Sequence, residues 1–252
     1  MLAATGWRLE ELDLNFNPGL GAAGERYADE LWEEQGGAEG EGEDGGAEGE
    51  DGAATLVAAP TFALRRLNLA NCNLDVAGVL SVAPAPWPLE ELTLSYNNFS
   101  AAAAAPALAA LSRHVGLRRL DVGYCHLSAA GFKALVEASW PALTYLALAR
   151  AEVAFDGPHA LGAAAFAGCP ALENLYLLDI ALGEAGARLL AGRRWARLPG
   201  LNLRFPNLGA AGGAVLARGA WPALERLILC GSDAEVTLED ARRWAPALVE
   251  LY

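Results

Sequence analysis

Leucines recur along this chain in short stretches where apolar and polar positions alternate. Leu64, Leu67 and Leu69 stand as L-x-x-L-x-L, and Cys72 and Leu74 extend the frame to L-x-x-L-x-L-x-x-(N/C)-x-L. The frame returns at Leu89, Leu92, Leu94, Asn97 and Phe99, at Leu117, Leu120, Val122, Cys125 and Leu127, and at Leu143, Leu146, Leu148, Ala151 and Val153. Three further copies begin at Leu172, Leu198 and Leu224. A first copy stands at Leu9, Leu12, Leu14, Asn17 and Leu20, one residue longer than the rest, and a last is cut off after Leu248 and Leu251. From Leu64 onward the starts lie 25, 28, 26, 29, 26, 26 and 24 residues apart, the sustained self-similarity of a repeat architecture.

Within each frame the fourth and sixth positions are two apart, so a strand there directs both leucines to one side and the residue between them to the other. The stretch that follows, such as Gly183 to Ala191, places Gly186 and Leu190 four apart, the spacing of one stripe of an amphipathic helix. Trp87-Pro88, Trp140-Pro141, Cys169-Pro170 and Trp221-Pro222 are then expected to stop the helices. Proline cannot continue a helix and disfavours helical geometry at the residue before it. No single unit can bury its own leucines, so units must stack, each covering the open side of the next. Parallel strands are spaced by about 4.8 Å while helix axes need about 8–10 Å, so the stack must curve with its strands inside. Eight complete units, hence seven gaps, give an inner wall of roughly 34 Å.

These motifs resemble the leucine-rich repeat family over essentially the whole chain apart from one acidic segment. Leu182-Gly183-x-x-Gly186-x-x-x-Leu190-Ala191 and Leu208-Gly209-x-x-Gly212-x-x-x-Leu216-Ala217 are similar to the helical half of the ribonuclease-inhibitor-like class, and Leu127, Gly131 and Leu135 form a looser copy. The resemblance implies an α/β leucine-rich repeat solenoid, a horseshoe with parallel strands on the concave face and helices on the convex face, as a single domain over residues 1–252. It also implies a non-catalytic scaffold that binds a partner protein along the concavity, with cytoskeletal and axonemal repeat proteins as one setting. Two alternatives stand beside it. The substrate-reading part of an F-box ubiquitin-ligase receptor would require an F-box helix triplet, and this sequence has none. A Ran-type GTPase-activating protein would carry its acidic stretch after the repeats, whereas here it splits the first two.

An apolar share of 54% is enough for a sizeable core and excludes disorder throughout. Eighteen basic against 31 acidic side chains give a net charge of −13, which argues against the basic surface that nucleic acid or anionic membrane requires. Residues 36 to 52 hold seven of the acidic side chains with eight glycines and two alanines, leaving −6 on the remainder. Such a composition cannot repay its ordering entropy, so a disordered acidic insertion is expected between a helix ending near Trp32 and the second strand. It is either a tolerated solvated loop or a lure for a basic partner. The longest apolar run, Ala101 to Leu111, is broken by Pro106 and is short of the roughly 18 residues of a membrane span. Met1 to Glu11 lacks the basic start and apolar stretch of a secretory signal, so a cytoplasmic compartment is expected, with cytoskeleton or cilium axoneme as the narrower setting. Tyr252 stops inside a repeat, so the chain is expected to be incomplete or to end against another body. Arg outnumbers Lys 17 to 1, which reads as GC-rich coding.

Cys72, Cys125, Cys169 and Cys230 have no short ligand spacing, so free thiols and no metal are expected. The ninth-position column, Asn17, Cys72, Asn97 and Cys125, is expected to pair buried backbone groups where each strand turns outward. His114, His126 and His159 belong to no nucleophile signature. Gly183 and Gly186, like Gly209, Gly212 and Gly213, lack a following Lys-Ser or Lys-Thr and keep the repeat register, so they read as packing glycines rather than a phosphate loop. No catalytic residue, cofactor site or small-molecule substrate is expected. The free strand face holds the candidate binding residues: Tyr96, Arg119, Tyr124, Tyr145, Arg150, Tyr176, Arg204 and Phe205. Aromatics and Arg dominate interface energetics when desolvated. Strand surfaces favour tyrosine in any case, but five aromatics on a solvent face exceed what that preference needs.

Overall fold

The computed structural model describes residues 9–20, 63–155, 157–231 and 236–252. The acidic segment 36–52, the helix expected before it and Ser232 lie outside these residues. The strands are β1 (Glu11–Asp13), β2 (Arg66–Asn68), β3 (Glu91–Thr93), β4 (Arg119–Gly123), β5 (Tyr145–Ala149), β6 (Asn174–Leu178), β7 (Gly200–Asn202), β8 (Arg226–Ile228) and β9 (Glu250–Leu251). They form one open sheet in sequence order, every pair parallel. The fold is an α/β leucine-rich repeat solenoid. The truncated last copy supplies a ninth strand, one more than the complete units alone would give.

Register follows the leucines. Leu12, Leu67, Leu92, Leu120, Leu146, Leu175, Leu201, Leu227 and Leu251, the fourth position of every copy, form one row across the sheet. Leu120 and Leu146 are 0% exposed, and a continuous apolar core runs from Leu64 to Leu248 behind the sheet. A one-residue slip would turn that row toward solvent, so burial itself fixes the pairing.

Six α-helices lie in the second halves of the described units: α1 (Val76–Val82), α2 (Ala104–Ala110), α3 (Ala129–Glu137), α4 (Gly183–Ala191), α5 (Gly209–Leu216) and α6 (Leu238–Trp244). Asp75, Ser128 and Thr237 cap α1, α3 and α6 by accepting first-turn backbone N–H groups, which have no partner inside the helix. Pro106 sits in the first turn of α2, where its missing N–H costs nothing. Gly186 packs against the leucine four residues before it, since a Cβ there would lie 2.6 Å from Leu182 Cβ.

Two expectations about the helices need correction. The Trp-Pro pairs do not end them: α1, α3 and α5 stop at Val82, Glu137 and Leu216, ahead of Trp87, Trp140 and Trp221. The indole N–H groups of Trp140, Trp195 and Trp221 instead donate to the carbonyls of Leu135, Leu190 and Leu216, at 2.8, 2.9 and 3.0 Å. They satisfy carbonyls that a helix end leaves open. The second concerns the unit that starts at Leu143, which has no α-helix among its described residues. Turns run there instead, through Gly157 at φ +73° and Pro158, and the flanking units hold them. Lys133 of α3 donates to the Ala160 carbonyl at 3.0 Å, and Arg193 donates to those of Ala163 and Ala165 at 2.8 Å. At Cys169-Pro170 there is accordingly no helix to stop.

Candidate protein-binding face

Where each strand ends, the ninth position turns the chain outward. The Asn97 amide is buried, accepts from the backbone N–H of Cys72 and Leu74 at 3.1 and 2.8 Å, and donates to the carbonyls of Leu69 and Leu94 at 2.8 Å each. The Cys72 and Cys125 thiols donate to the carbonyls of Leu14 and Leu94 at 3.0 Å. The column is a ladder that stitches neighbouring turns. Asn17, at the first turn, is exposed, and its amide donates within its own turn, to the carbonyls of Leu14 and Asn15. Burial pushes the Cys72 and Cys125 thiols up from their ordinary values, and that of Cys169 up to about 12, which disfavours thiolate chemistry. Cys230 is exposed.

The residue before this ladder adopts left-handed geometry in every complete copy: Phe16, Asn71, Tyr96, Tyr124, Arg150, Asp179 and Phe205 have φ between +49° and +59°, and Gly231 has +72°. For a side chain with a Cβ this costs about 1–2 kcal/mol, and no local sequence signal announces it. The turn lifts these side chains onto one rim of the strand face. There Tyr96 and Tyr124 stack, with ring centroids 4.9 Å apart and planes 4° from parallel. The Arg150 guanidinium lies 5.7 Å from the Tyr124 ring and pairs with Asp179 at 3.1 Å. Further along, the Arg204 guanidinium lies 5.3 Å from the Phe205 ring.

A second series rises from the other side of the face. The Arg119 guanidinium sits 3.6 Å from the centre of the Tyr145 ring, and Tyr145 meets Tyr176 of the next strand at 5.0 Å, tilted by 35°. Between the two series the strands carry small side chains: Ser95, Gly123, Ala147 and Ala149, all buried. The result is a trough with a floor of small residues and walls of rings and guanidinium planes. Asp121 stands in it half-buried, its Oδ1 accepting the Gly123 N–H at 3.0 Å. Burial raises its carboxyl above the ordinary value, against the Gly123 hydrogen bond and the Arg119 charge. Burial likewise raises the Tyr145 and Tyr96 phenols, with Arg119 opposing at Tyr145 and Arg150 at Tyr96.

All eight sequence-selected residues lie on this face, and stacking brings six of them into the two series, with Arg204 and Phe205 beyond. Tyr96 and Phe205 are exposed, at 51% and 47%; Arg119, Tyr124, Tyr145 and Tyr176 are half-buried by one another. Sequence reasoning placed these residues on the free face but did not show their stacking, which depends on the left-handed turn for Tyr96, Tyr124 and Arg150 and on strand register for Arg119, Tyr145 and Tyr176. Asp121 and Ser95 lie on the same free face, as their fifth and seventh positions require, without being among the residues selected. Among the described residues no group of His, Cys, Asp and Glu is arranged to hold a metal ion, and no helix is long and apolar enough to cross a membrane. His114 is buried inside the stack, its ring nitrogens 3.3 Å from the carbonyls of Trp87 and Val82, away from the strand face.

No family model matches the chain, and no curated protein matches it. Among solved structures it is similar to the mouse RP105/MD-1 complex, at 20% identity and a TM-score of 0.49 over 75% of this chain and 30% of that one. It is also similar to the TLR13–ssRNA13 complex, at 16% identity and 0.40 over 79% of this chain and 29% of that one. An internalin (inlF) from Listeria monocytogenes str. 4b F2365 follows at 14% and 0.38, over 79% and 63%. The chain thus spans less than a third of the first two and under two thirds of the third. The fold assignment rests on the strand ladder and its leucine register rather than on these likenesses.

Proposed function

We propose that this chain is a non-catalytic scaffold of the ribonuclease-inhibitor-like kind that takes a partner protein against its concave strand face. The observation that carries the reading is the pair of stacked series, Tyr96–Tyr124–Arg150 and Arg119–Tyr145–Tyr176, held open over a floor of small side chains. Rings already fixed by stacking lose little further freedom on binding, and Tyr and Arg are the side chains that supply most interface energy once desolvated. The expected setting is the cytoplasm, with a cytoskeletal or axonemal assembly as the narrower place. Proximity labelling in the native cell supplies the partner. A Tyr124→Ser, Tyr145→Ser, Tyr176→Ser variant, shown folded by circular dichroism, should then lose its capture; retained capture refutes the reading.

A further inference from the structure

The charges of the strand face are segregated along the sheet. The side chains on the free side of each strand occupy the third, fifth and seventh positions of a copy, and all of them are described for β1 to β8. On β1 to β3 they include Glu11, Asp13 and Glu91 against Arg66 alone, and Arg66 is already paired with Glu11 at 2.6 Å. Strand β4 carries one of each sign, Arg119 and Asp121. At these positions the copies of β5 to β8 carry Arg204 and Arg226 and no carboxylate. Both are exposed, and no carboxylate of the described residues lies within ion-pair distance of either. Glu250 on β9 stands in register with Arg226 without pairing it. On the left-handed rim Arg150 and Asp179 neutralise one another. The aromatic trough occupies the middle, from β3 to β6. Its floor holds one polar side chain without a partner among the described residues, the hydroxyl of Ser95, which is 8% exposed.

From this charge complementarity we infer that the occupant of the face is a single extended segment of a partner protein that crosses the strands with basic side chains at one end and acidic side chains at the other. The inference rests on the concave-face reading above and adds the partner's chemistry and direction. The basic end lies over Glu11, Asp13 and Glu91, the apolar or aromatic middle fills the trough with one polar group reaching Ser95, and the acidic end meets Arg204 and Arg226. The face does not offer strand addition, because the backbone groups of β2 to β8 are used by their neighbours on both sides. From β2, the centre of the acidic end, to the gap between β7 and β8 is five to six strand spacings, or about 26 Å at about 4.8 Å each. An extended chain covers that in about eight residues. Like-charge contacts disfavour the reversed orientation, which gives such a face its direction.

The test pans a library of random 16-residue peptides displayed on phage against the whole chain and measures the enriched peptides, labelled with fluorescein, by anisotropy. Enriched peptides should separate basic from acidic residues by about eight positions. Arg204→Ala with Arg226→Ala should weaken them at least fivefold. Arg204→Glu with Arg226→Glu should abolish binding of the selected peptide and restore it when that peptide's acidic residues are changed to Lys. Peptides lost on Tyr145→Ser but showing no charge separation, or indifferent to both arginine variants, overturn this inference and leave the concave-face reading standing. Peptides indifferent to Tyr145→Ser as well, or no enrichment at all, overturn both.

Discussion

Removing the Asn97 amide tests whether the ninth-position ladder holds adjacent units together. In Asn97→Ala the N–H groups of Cys72 and Leu74 lose their acceptor and the Leu69 carbonyl loses its donor, while the Leu94 carbonyl keeps the Cys125 thiol. Three buried backbone groups are left unpaired. At about 1–3 kcal/mol each, with partial relief from relaxation, the expected loss is about 3–6 kcal/mol, a large fraction of the roughly 5–15 kcal/mol that holds a typical domain. Asn97→Cys should cost less than Asn97→Ala, because thiols at Cys72 and Cys125 already donate to carbonyls of the preceding turn. Urea unfolding followed by far-ultraviolet circular dichroism measures the loss, and amide hydrogen exchange locates it. The first exchange to accelerate should be in β2 and β3, since a repeat stack is stabilised through nearest neighbours. A loss under about 1 kcal/mol, or a cysteine variant no better than alanine, would refute the ladder as a source of stability.

Two further outcomes follow from single positions. Asp121→Asn keeps the acceptor for the Gly123 N–H, the role that Asn68 and Asn202 play for the N–H two residues on in their own copies. Burial raises the Asp121 carboxyl in the folded state, so the native form binds more protons than the unfolded form above pH 3.8, and stability attributable to this group falls as pH rises through that window. The asparagine variant should therefore melt above the parent at pH 7 and level with it near pH 3, by calorimetry; no pH dependence in the difference would contradict the assigned cause. Gly186→Ala gains about 1 kcal/mol of helix propensity but forces a methyl to 2.6 Å from Leu182 Cβ. Overpacking of this kind costs about 1–3 kcal/mol, so a net loss in urea midpoint is expected, and a stabilised variant would show the contact to be soft.

The leucine frame made the strands, their order and their register legible, because the fourth and sixth positions encode which face is hidden and the repeat length encodes the stacking. The ninth-position role of Asn97, Cys72 and Cys125 was legible for the same reason: a polar residue at a buried position demands partners. Other features were not. The left-handed rim is imposed by the turn after the strand, and residues as unlike as Tyr96, Arg150 and Asp179 adopt it, so no residue preference announces it. Stacking of Tyr145 on Arg119 and Tyr176 joins residues from three strands, and only the assembled sheet sets their separation. The unit from Leu143 shares the frame of its neighbours, yet its second half is turns; Gly157-Pro158 interrupts the helical pattern, and an Ala-rich stretch beyond it conceals the change. Trp140 and Trp221 sit beside prolines that cannot extend a helix, which masked the carbonyl-capping role of their indoles.

Every strand pairs only with the one before and the one after, so no strand pairing fastens one end of the sheet to the other. Bending is therefore shared out as a series of small rotations, each resisted by the outer layer of its own unit. Behind β5 that layer is a run of turns, tethered by Lys133 and Arg193 to the units on either side, instead of an α-helix. A widening or narrowing of the arc behind the Tyr145 ring would load these tethers rather than a helix packed on its neighbours, with strand pairing unchanged.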